Sequence, residues 1–369
     1  MEKLKEINSG FDTFSKRINN QKRLYKKVFD YSVKQNSNQT ITKIEDKRFF
    51  NLLIEAFGPS VSYKKAKSHL MDLYDIGFHK ETGALIISNK GATLYSMSPK
   101  TDTPHIVRHI GFCVYMPGLG VEFVNVGLVG NVYEGKVILR SESACTPSFL
   151  FGSQRCNCNH QWDSVRELAA YFNRVKTPSL KNGKDFEKWV QKQVTYKKGK
   201  HIFNKNVNGQ GLILMHVDTQ NGMGSGYTPG EFCFDLFSRA SIRHRGEYSA
   251  EQIDNATMWG GFEAIGINAD PRRENENIGY KITFAILDYL RVSKDIIFLT
   301  NNPLKLQHLE RNGYKLSRIK TLGAINLAGA LEAEERGEEF HHLDIDEHCV
   351  SFKDEFERLK KEIKGIIKE

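Results

Sequence analysis

Five short apolar runs between residues 106 and 300 constrain this chain more than anything else in it. Ile106 to Val114, Val121 to Val132, Lys136 to Ser141, Leu212 to His216 and Ile296 to Thr300 are rich in Val, Ile, Leu and Phe. Gly, Asn or polar turns, such as Gly118-Leu119-Gly120 and Gly130-Asn131, bound them. Such runs read as strands. Between them, Trp162, Val165, Leu168, Ala169 and Phe172 recur at helical spacing, as do residues 281–291. Strands interleaved with helices give this part of the chain an α/β texture. Arg174 to Asn208 is basic and polar and reads as an insertion or mobile loop, and residues 351–368 read as a last charged helix.

The front of the chain has a different texture. Leu4, Ile7, Phe11, Phe14, Ile18, Leu24 and Val28 recur mostly at steps of three or four, which predicts one or two amphipathic helices. Phe49, Phe50, Leu53, Ile54 and Phe57 form a second helical stripe. Ser62 then opens a helix through Ala66, Leu70, Leu73 and Tyr74, closed by Gly77. Ala84 to Ser88, a turn at Asn89-Lys90-Gly91, and Ala92 to Tyr95 predict a hairpin. Helix, turn, helix and hairpin resemble a winged helix, with Lys64, Lys65 and Lys67 on the helix that would enter a DNA groove. A helical cap packed on the next domain is the alternative. Thr101 to Pro104 reads as a linker. The expected domains are therefore 1–104, mainly helical and basic; 105–330, the part with α/β texture; and 331–369, a C-terminal helical extension.

Charge supports the same division. The chain carries +9, and residues 1–105 hold 18 Lys and Arg against 11 Asp and Glu. A positive front suits DNA or another polyanion, and equally a solvated helix surface. Hydrophobic content of 40% with 26% charged residues excludes a disordered chain. No apolar run reaches the ~18 residues of a membrane span. Met1-Glu2-Lys3-Leu4-Lys5 leads into polar sequence without a secretory h-region, so a cytoplasmic protein is expected.

The chemistry is carried by cysteine. Cys145-x10-Cys156-x-Cys158 offers three thiolates, with Arg155 directly before the second. Three thiolates leave the fourth tetrahedral position of a zinc ion to water, the arrangement of a catalytic site. Zinc brings such a water close to ionisation at neutral pH. In a reducing compartment the cluster reads better as metal ligands than as disulfides. Each cysteine alone would read as a small buried hydrophobe.

Further blocks follow the cysteines in order. They are Arg140-Ser141-Glu142-Ser143-Ala144-Cys145, then Ser153-Gln154-Arg155-Cys156-Asn157-Cys158-Asn159-His160-Gln161, and Thr219-Gln220-Asn221-Gly222-Met223-Gly224. Ile265-Gly266-Ile267-Asn268-Ala269-Asp270-Pro271-Arg272 and Leu299-Thr300-Asn301-Asn302-Pro303-Leu304-Lys305 complete the series. In this order the blocks resemble GTP cyclohydrolase II, the zinc enzyme that begins riboflavin synthesis. The resemblance covers about residues 105–325.

The resemblance implies a fold and a chemistry. The fold would be α+β around the family's mixed-sheet core, with a small, mainly helical N-terminal module. One zinc per chain would sit on Cys145, Cys156 and Cys158, and hydrolysis would open a purine imidazole ring with release of formate and pyrophosphate. Asp270 would accept a proton and Arg272 would act at the α-phosphate. Arg140, Gln161, Thr219, Gln220, Asn221, Thr300 and Lys305 would contact the nucleotide. Mg²⁺ would accompany the phosphates, and the enzyme would be a homodimer. Taken singly, Asp270 and Arg272 also read as a surface ion pair, and Thr300 to Pro303 as a strand-to-helix turn.

The chain departs from the family at several places, among them Ala144, where the family has an acidic residue before the first cysteine, and the family's Lys-x-x-x-Tyr stretch, which has no clean counterpart. Thr219-Gln220-Asn221 stands where the family has Glu-Gly-Arg, so the base-recognition end is rebuilt while the zinc and phosphate ends are kept. The base is thereby left open, and GTP, with Gln220, Asn221 or Asp218 meeting the base, or a related purine nucleotide is expected as substrate. A non-catalytic, zinc-bearing nucleotide sensor that binds DNA through residues 1–104 is the alternative function.

Overall fold

The computed structural model describes residues 2–35, 39–57, 74–97, 103–117, 120–141, 167–176, 182–197, 200–203, 209–217, 276–300, 304–320 and 352–368. They form two compact units, Met1–Lys90 with Phe112–Val121, and Gly91–Gly111 with Glu122–Glu369. The class is α+β with a mixed sheet. The expected division at residue 104 falls inside a strand pair, because Pro104 faces Met97 in register. Pro104 is therefore no linker residue.

The first unit opens with a single long helix, α1 (Glu2–Lys34), then β1 (Ile41–Ile44) and α2 (Lys47–Phe57). Asp46 starts α2: its carboxylate accepts from the Arg48 N–H at 2.9 Å and from the Arg48 guanidinium. Those bonds hold its pKa below the usual carboxylate range. The stripe Phe49, Phe50, Leu53 and Ala56 is buried against Leu24 and Val28 of α1. That apolar face, not the exposed Arg23–Glu55 ion pair, stabilises the α1–α2 packing.

β2 (Tyr74–His79) and β3 (Ala84–Asn89) complete this unit's antiparallel sheet with β1 and the end of β5 (Pro104–Met116). Tyr74 to Gly77 are thus strand, not the end of a helix. Ile76 and Phe78 lie in the core cluster, and the backbone is used by β1 on one side and β3 on the other. Aromatic and β-branched residues beside Gly77 favour that state over a helix. Lys64, Lys65 and Lys67 lie outside the described residues.

The expected hairpin over residues 84–95 is a different object. β3 and β4 (Ala92–Met97) both pair with β5, from Leu85↔Tyr115 to Ser88↔Phe112 and from Ala92↔His109 to Met97↔Pro104. The register advances by one residue between them. Residues 89–91 therefore face only 110 and 111, which is a β-bulge. Gly91 supplies its left-handed backbone at φ +70, and a Cβ there would stand 2.5 Å from the His109 carbonyl oxygen. A turn signal and a bulge signal are the same residues, Asn-Lys-Gly, so the sequence alone did not separate them.

In the second unit, β6 (Gly120–Val129) and β7 (Lys136–Ser141) precede a helix over residues 167–173, here α3. Then come α4 (Gly183–Gln193), β8 (Val194–Lys197), β9 (Lys200–Phe203) and β10 (Leu212–Val217). α5 (Glu276–Leu290), β11 (Asp295–Leu299), α6 (Leu304–Arg311), β12 (Lys315–Ile319) and α7 (Phe352–Lys368) close the chain. β6 is antiparallel to β10, and β10, β7, β11 and β12 run parallel in that spatial order. Ile138, Leu212, Leu214, Ile297 and Leu299 pack on Leu168 and Ala169 of α3 and on Leu359 and Ile363 of α7. The intervening residues Val137, Leu139, Ile213, Ile296 and Phe298 are buried as well. Burial on both faces explains why these strands are uninterrupted apolar runs.

Two expectations are corrected here. Residues 174–208 are not a featureless loop. Asn182 caps α4 by accepting from the Asp185 N–H at 3.0 Å, and Phe186, Trp189, Val190 and Val194 pack on Tyr95 and Ile106. Frequent lysines mask that three-and-four spacing. α7 is likewise no appended extension, since Leu359 and Ile363 belong to the second unit's core. Among the described residues no helix is long and apolar enough to cross a membrane.

β5 also carries a pH-sensitive group. Burial pushes the His109 imidazole down to about 4 from its usual 6.5. An unfolded chain would bind that proton near pH 6.5, so the unfolded state gains protons first as pH falls. Stability is therefore expected to drop by about 2 kcal/mol between pH 7.5 and pH 5 from this residue alone. Urea unfolding midpoints at the two pH values, compared with His109→Gln, check this. An equal pH response in the variant would contradict it.

Candidate active site

β10, β7 and β11 are adjacent and parallel, so their carboxyl ends share one edge of the sheet. In open α/β sheets that edge is where ligands bind, because loops diverge there and backbone ends are exposed to them. The chain leaves β7 at Ser141, β10 at Val217 and β11 at Leu299. Arg140 and Leu299 are register partners. Period-two alternation puts Arg140 on the same sheet face as Ile138, toward the α3 and α7 side. Its Nη1 donates to the Leu299 carbonyl at 3.0 Å.

Thr300 follows directly and is 1% exposed. Its N–H donates to the Ile319 carbonyl at 3.0 Å, and its own carbonyl accepts from Arg318 Nε at 3.1 Å. Two successive carbonyls at the end of β11 are thus held by two guanidiniums, from β7 on one side and β12 on the other. This brings two positive charges to the edge and fixes the backbone that precedes Asn301. Sequence reasoning chose Arg140 and Thr300 but missed Arg318. Its signal was an arginine between Ser317 and Ile319 in the short run Lys315 to Ile319.

The structure therefore brings Arg140 and Thr300 together. Lys305 stands on α6, and its side chain is outside the described part. Cys145, Cys156, Cys158, Gln161, Thr219, Gln220, Asn221, Asp270 and Arg272 lie outside the described residues. In sequence, Cys145 stands four residues beyond the end of β7, and Thr219 two beyond the end of β10. Among the described residues no group of His, Cys, Asp and Glu is arranged to hold a metal ion. The described cysteine, Cys113, is in no disulfide and packs on the first unit's core.

At the opposite, amino edge of the same strands lies an open dent of about 450 Å³. Asn131, Glu134, Lys136, Gln210 and Asp295 line it, with Gly135, Gly209 and Gly211 supplying bare backbone. The Lys136 ammonium there donates to the Ile366 carbonyl of α7. This edge is a structural joint. The Asn131 N–H donates to the Gly209 carbonyl at 3.0 Å, and Asn173 Nδ2 to the Gln210 carbonyl at 3.0 Å.

No protein-family model matches the chain, and no curated protein matches it.

Proposed function

We propose that this chain is a zinc hydrolase of the GTP cyclohydrolase II type, which opens the imidazole ring of a purine nucleotide and releases formate and pyrophosphate. The observation that carries the reading is the shared carboxyl edge of β7, β10 and β11. Three of the sequence blocks, at Arg140, Thr219 and Thr300, adjoin in sequence the ends of three adjacent parallel strands. 

In the chain itself these blocks are far apart, and the parallel strand order brings the ends of β7, β10 and β11, from which they continue in sequence, to one edge. A composite site built from strand ends is what the fold class uses for chemistry.

The donor set of Cys145, Cys156 and Cys158 fits zinc, since three soft thiolates favour it and leave one coordination position open. A zinc ion held there would supply Lewis acidity and a nucleophile near neutral pH. The protein's own groups divide the remaining work. Asp270 accepts a proton. Arg272 presents a planar fork that matches phosphate oxygens and clamps the α-phosphate. Arg140, Gln161, Thr300 and Lys305 hold the nucleotide. Thr219, Gln220 and Asn221 meet the base with neutral donors and acceptors, which suits a purine whose edge does not demand a carboxylate.

The test is turnover. Zinc-loaded protein with Mg²⁺ is incubated with GTP, ATP and their mono- and diphosphates, and formate and pyrophosphate are assayed separately. Formate from one purine supports the reading and names the base. No product from any nucleotide, with zinc bound, contradicts it and favours a nucleotide sensor. Arg272→Ala is expected to retain zinc and lower pyrophosphate release by roughly 10²–10³-fold, the usual cost of removing one preorganised charge-stabilising donor. An unchanged rate removes Arg272 from the mechanism.

A further inference from the structure

Residues 174–208 hold ten Lys and Arg against two acidic residues, a balance of +8 in a chain whose total is +9. Among the described residues the fold gives part of this charge a definite surface. Lys184, Lys188 and Lys192 recur every fourth residue on α4 and are all exposed. At 100° per residue they form one row, opposite the face that carries Phe186, Trp189, Val190 and Gln193. α4 runs straight into the hairpin of β8 and β9, where Lys197 is exposed and faces Lys200 directly in register. Like charges opposed across a strand pair are destabilising. Among the described residues no ion pair involves Lys184, Lys188, Lys192 or Lys197.

We propose that this helix and hairpin form a docking surface for the phosphate backbone of nucleic acid. The inference is independent of the zinc chemistry. A bound polyanion would neutralise the exposed row on α4 and the exposed Lys197. Lysine is a point charge on a flexible stem, so the contacts fit phosphates and not base edges, and binding is expected without sequence preference. A membrane surface fits less well. Interfacial helices present apolar anchors beside their lysines. Here the helix's aromatic residues are turned inward, with Phe186 and Trp189 packed on Tyr95 at ring distances of 5.0 Å and 6.1 Å.

Fluorescence anisotropy of the full chain tests this with a labelled 30-nucleotide RNA strand, the same sequence as a DNA strand, and the DNA duplex. About four neutralised phosphates on a single strand predict roughly 50-fold weaker binding at 200 mM than at 50 mM salt. The triple variant Lys184→Gln, Lys188→Gln, Lys192→Gln is expected to lose at least tenfold in affinity at 50 mM salt and to show a salt slope shallower by about 2. Circular dichroism should show it folded, since all three side chains are exposed. The control Lys22→Gln, Lys26→Gln, Lys27→Gln removes the same charge from exposed positions on α1 and is expected to change affinity less than twofold. Preference for RNA or for duplex DNA then names the target. Three results would overturn the proposal: no binding at 50 mM salt, equal weakening by both triples, or lysine-dependent binding to phosphatidylserine vesicles but to none of the nucleic acids.

Discussion

If the proposed function holds, Cys156→Ser is expected to abolish zinc binding and lower formate production by roughly a thousandfold or more, because a zinc ion held there would contribute several kcal/mol to the transition state and each 1.36 kcal/mol is tenfold. A serine hydroxyl stays protonated at neutral pH and is a poor ligand where a thiolate was needed, so two thiolates remain. Elemental analysis of metal content and a formate assay read the two losses together. Cys113→Ser serves as the control. Cys113 packs against the first unit's core cluster, and its variant should keep both zinc and turnover. The melting curve of Cys156→Ser separates the two functional readings. A folded variant without zinc agrees with a catalytic ion, whereas collapse of the fold would make the ion structural. Full zinc occupancy with normal activity would remove the cysteine frame from the account.

The second large effect concerns the joint at the amino edge of β10. Gly211→Ala is expected to cost about 3 kcal/mol or more, as overpacking against backbone does. A Cβ at Gly211 would lie 2.0 Å from the Asn131 carbonyl oxygen and 2.7 Å from its carbon, and neither atom can rotate away. The Gly211 carbonyl also accepts from the Ile138 N–H at 2.9 Å, so relief by moving the glycine would break the link from β10 to β7. Gly135 is the comparison. It has φ +67 with nothing within 4 Å of its would-be Cβ, so Gly135→Ala pays only for left-handed backbone, about 1 kcal/mol. Urea unfolding of both variants checks the difference. Equal costs would show that backbone conformation, not the close approach, sets the price of these positions.

The two substitutions bear on function differently. Gly211 sits at the start of the strand whose other end leads to Thr219, Gln220 and Asn221. Turnover measured on Gly211→Ala therefore asks whether the start of β10 matters to the segment proposed to meet the base.

Much of the second unit was legible because its strands are buried on both faces. β7 was read over its observed bounds, and β10 and β11 within a residue of theirs, since continuous runs such as Val137 to Leu139 and Leu212 to Met215 have few other uses. The short β12 escaped notice. Lys315, Ser317 and Arg318 dilute its apolar signal, and its place depends on pairing with β11. The front was harder for a related reason. β2 alternates only weakly, and its strand state comes from partners 30 or more residues apart in part, as in Ile41↔His79. Local periodicity does not encode such pairing. The lysines of α4 hid a packed helix, and Asn89 to Gly91 hid a bulge under a turn signal.

For the site, the residue types were legible and their convergence was not. Arg140 and Thr300 were named from motif order, and their neighbourhood follows from β7 lying beside β11, which no spacing in the sequence states. Arg318 was missed because its role, holding the Thr300 carbonyl, exists only once β12 is paired.

The central claim is tested most directly by the fate of one carbon. Purine nucleotides labelled with ¹³C at C8 are incubated with the zinc-loaded protein and Mg²⁺, and the reaction is followed by ¹³C NMR. The account predicts that the label of one nucleotide leaves the ring and appears as free formate. Label retained in an intact ring, while the protein binds both zinc and nucleotide, would contradict it.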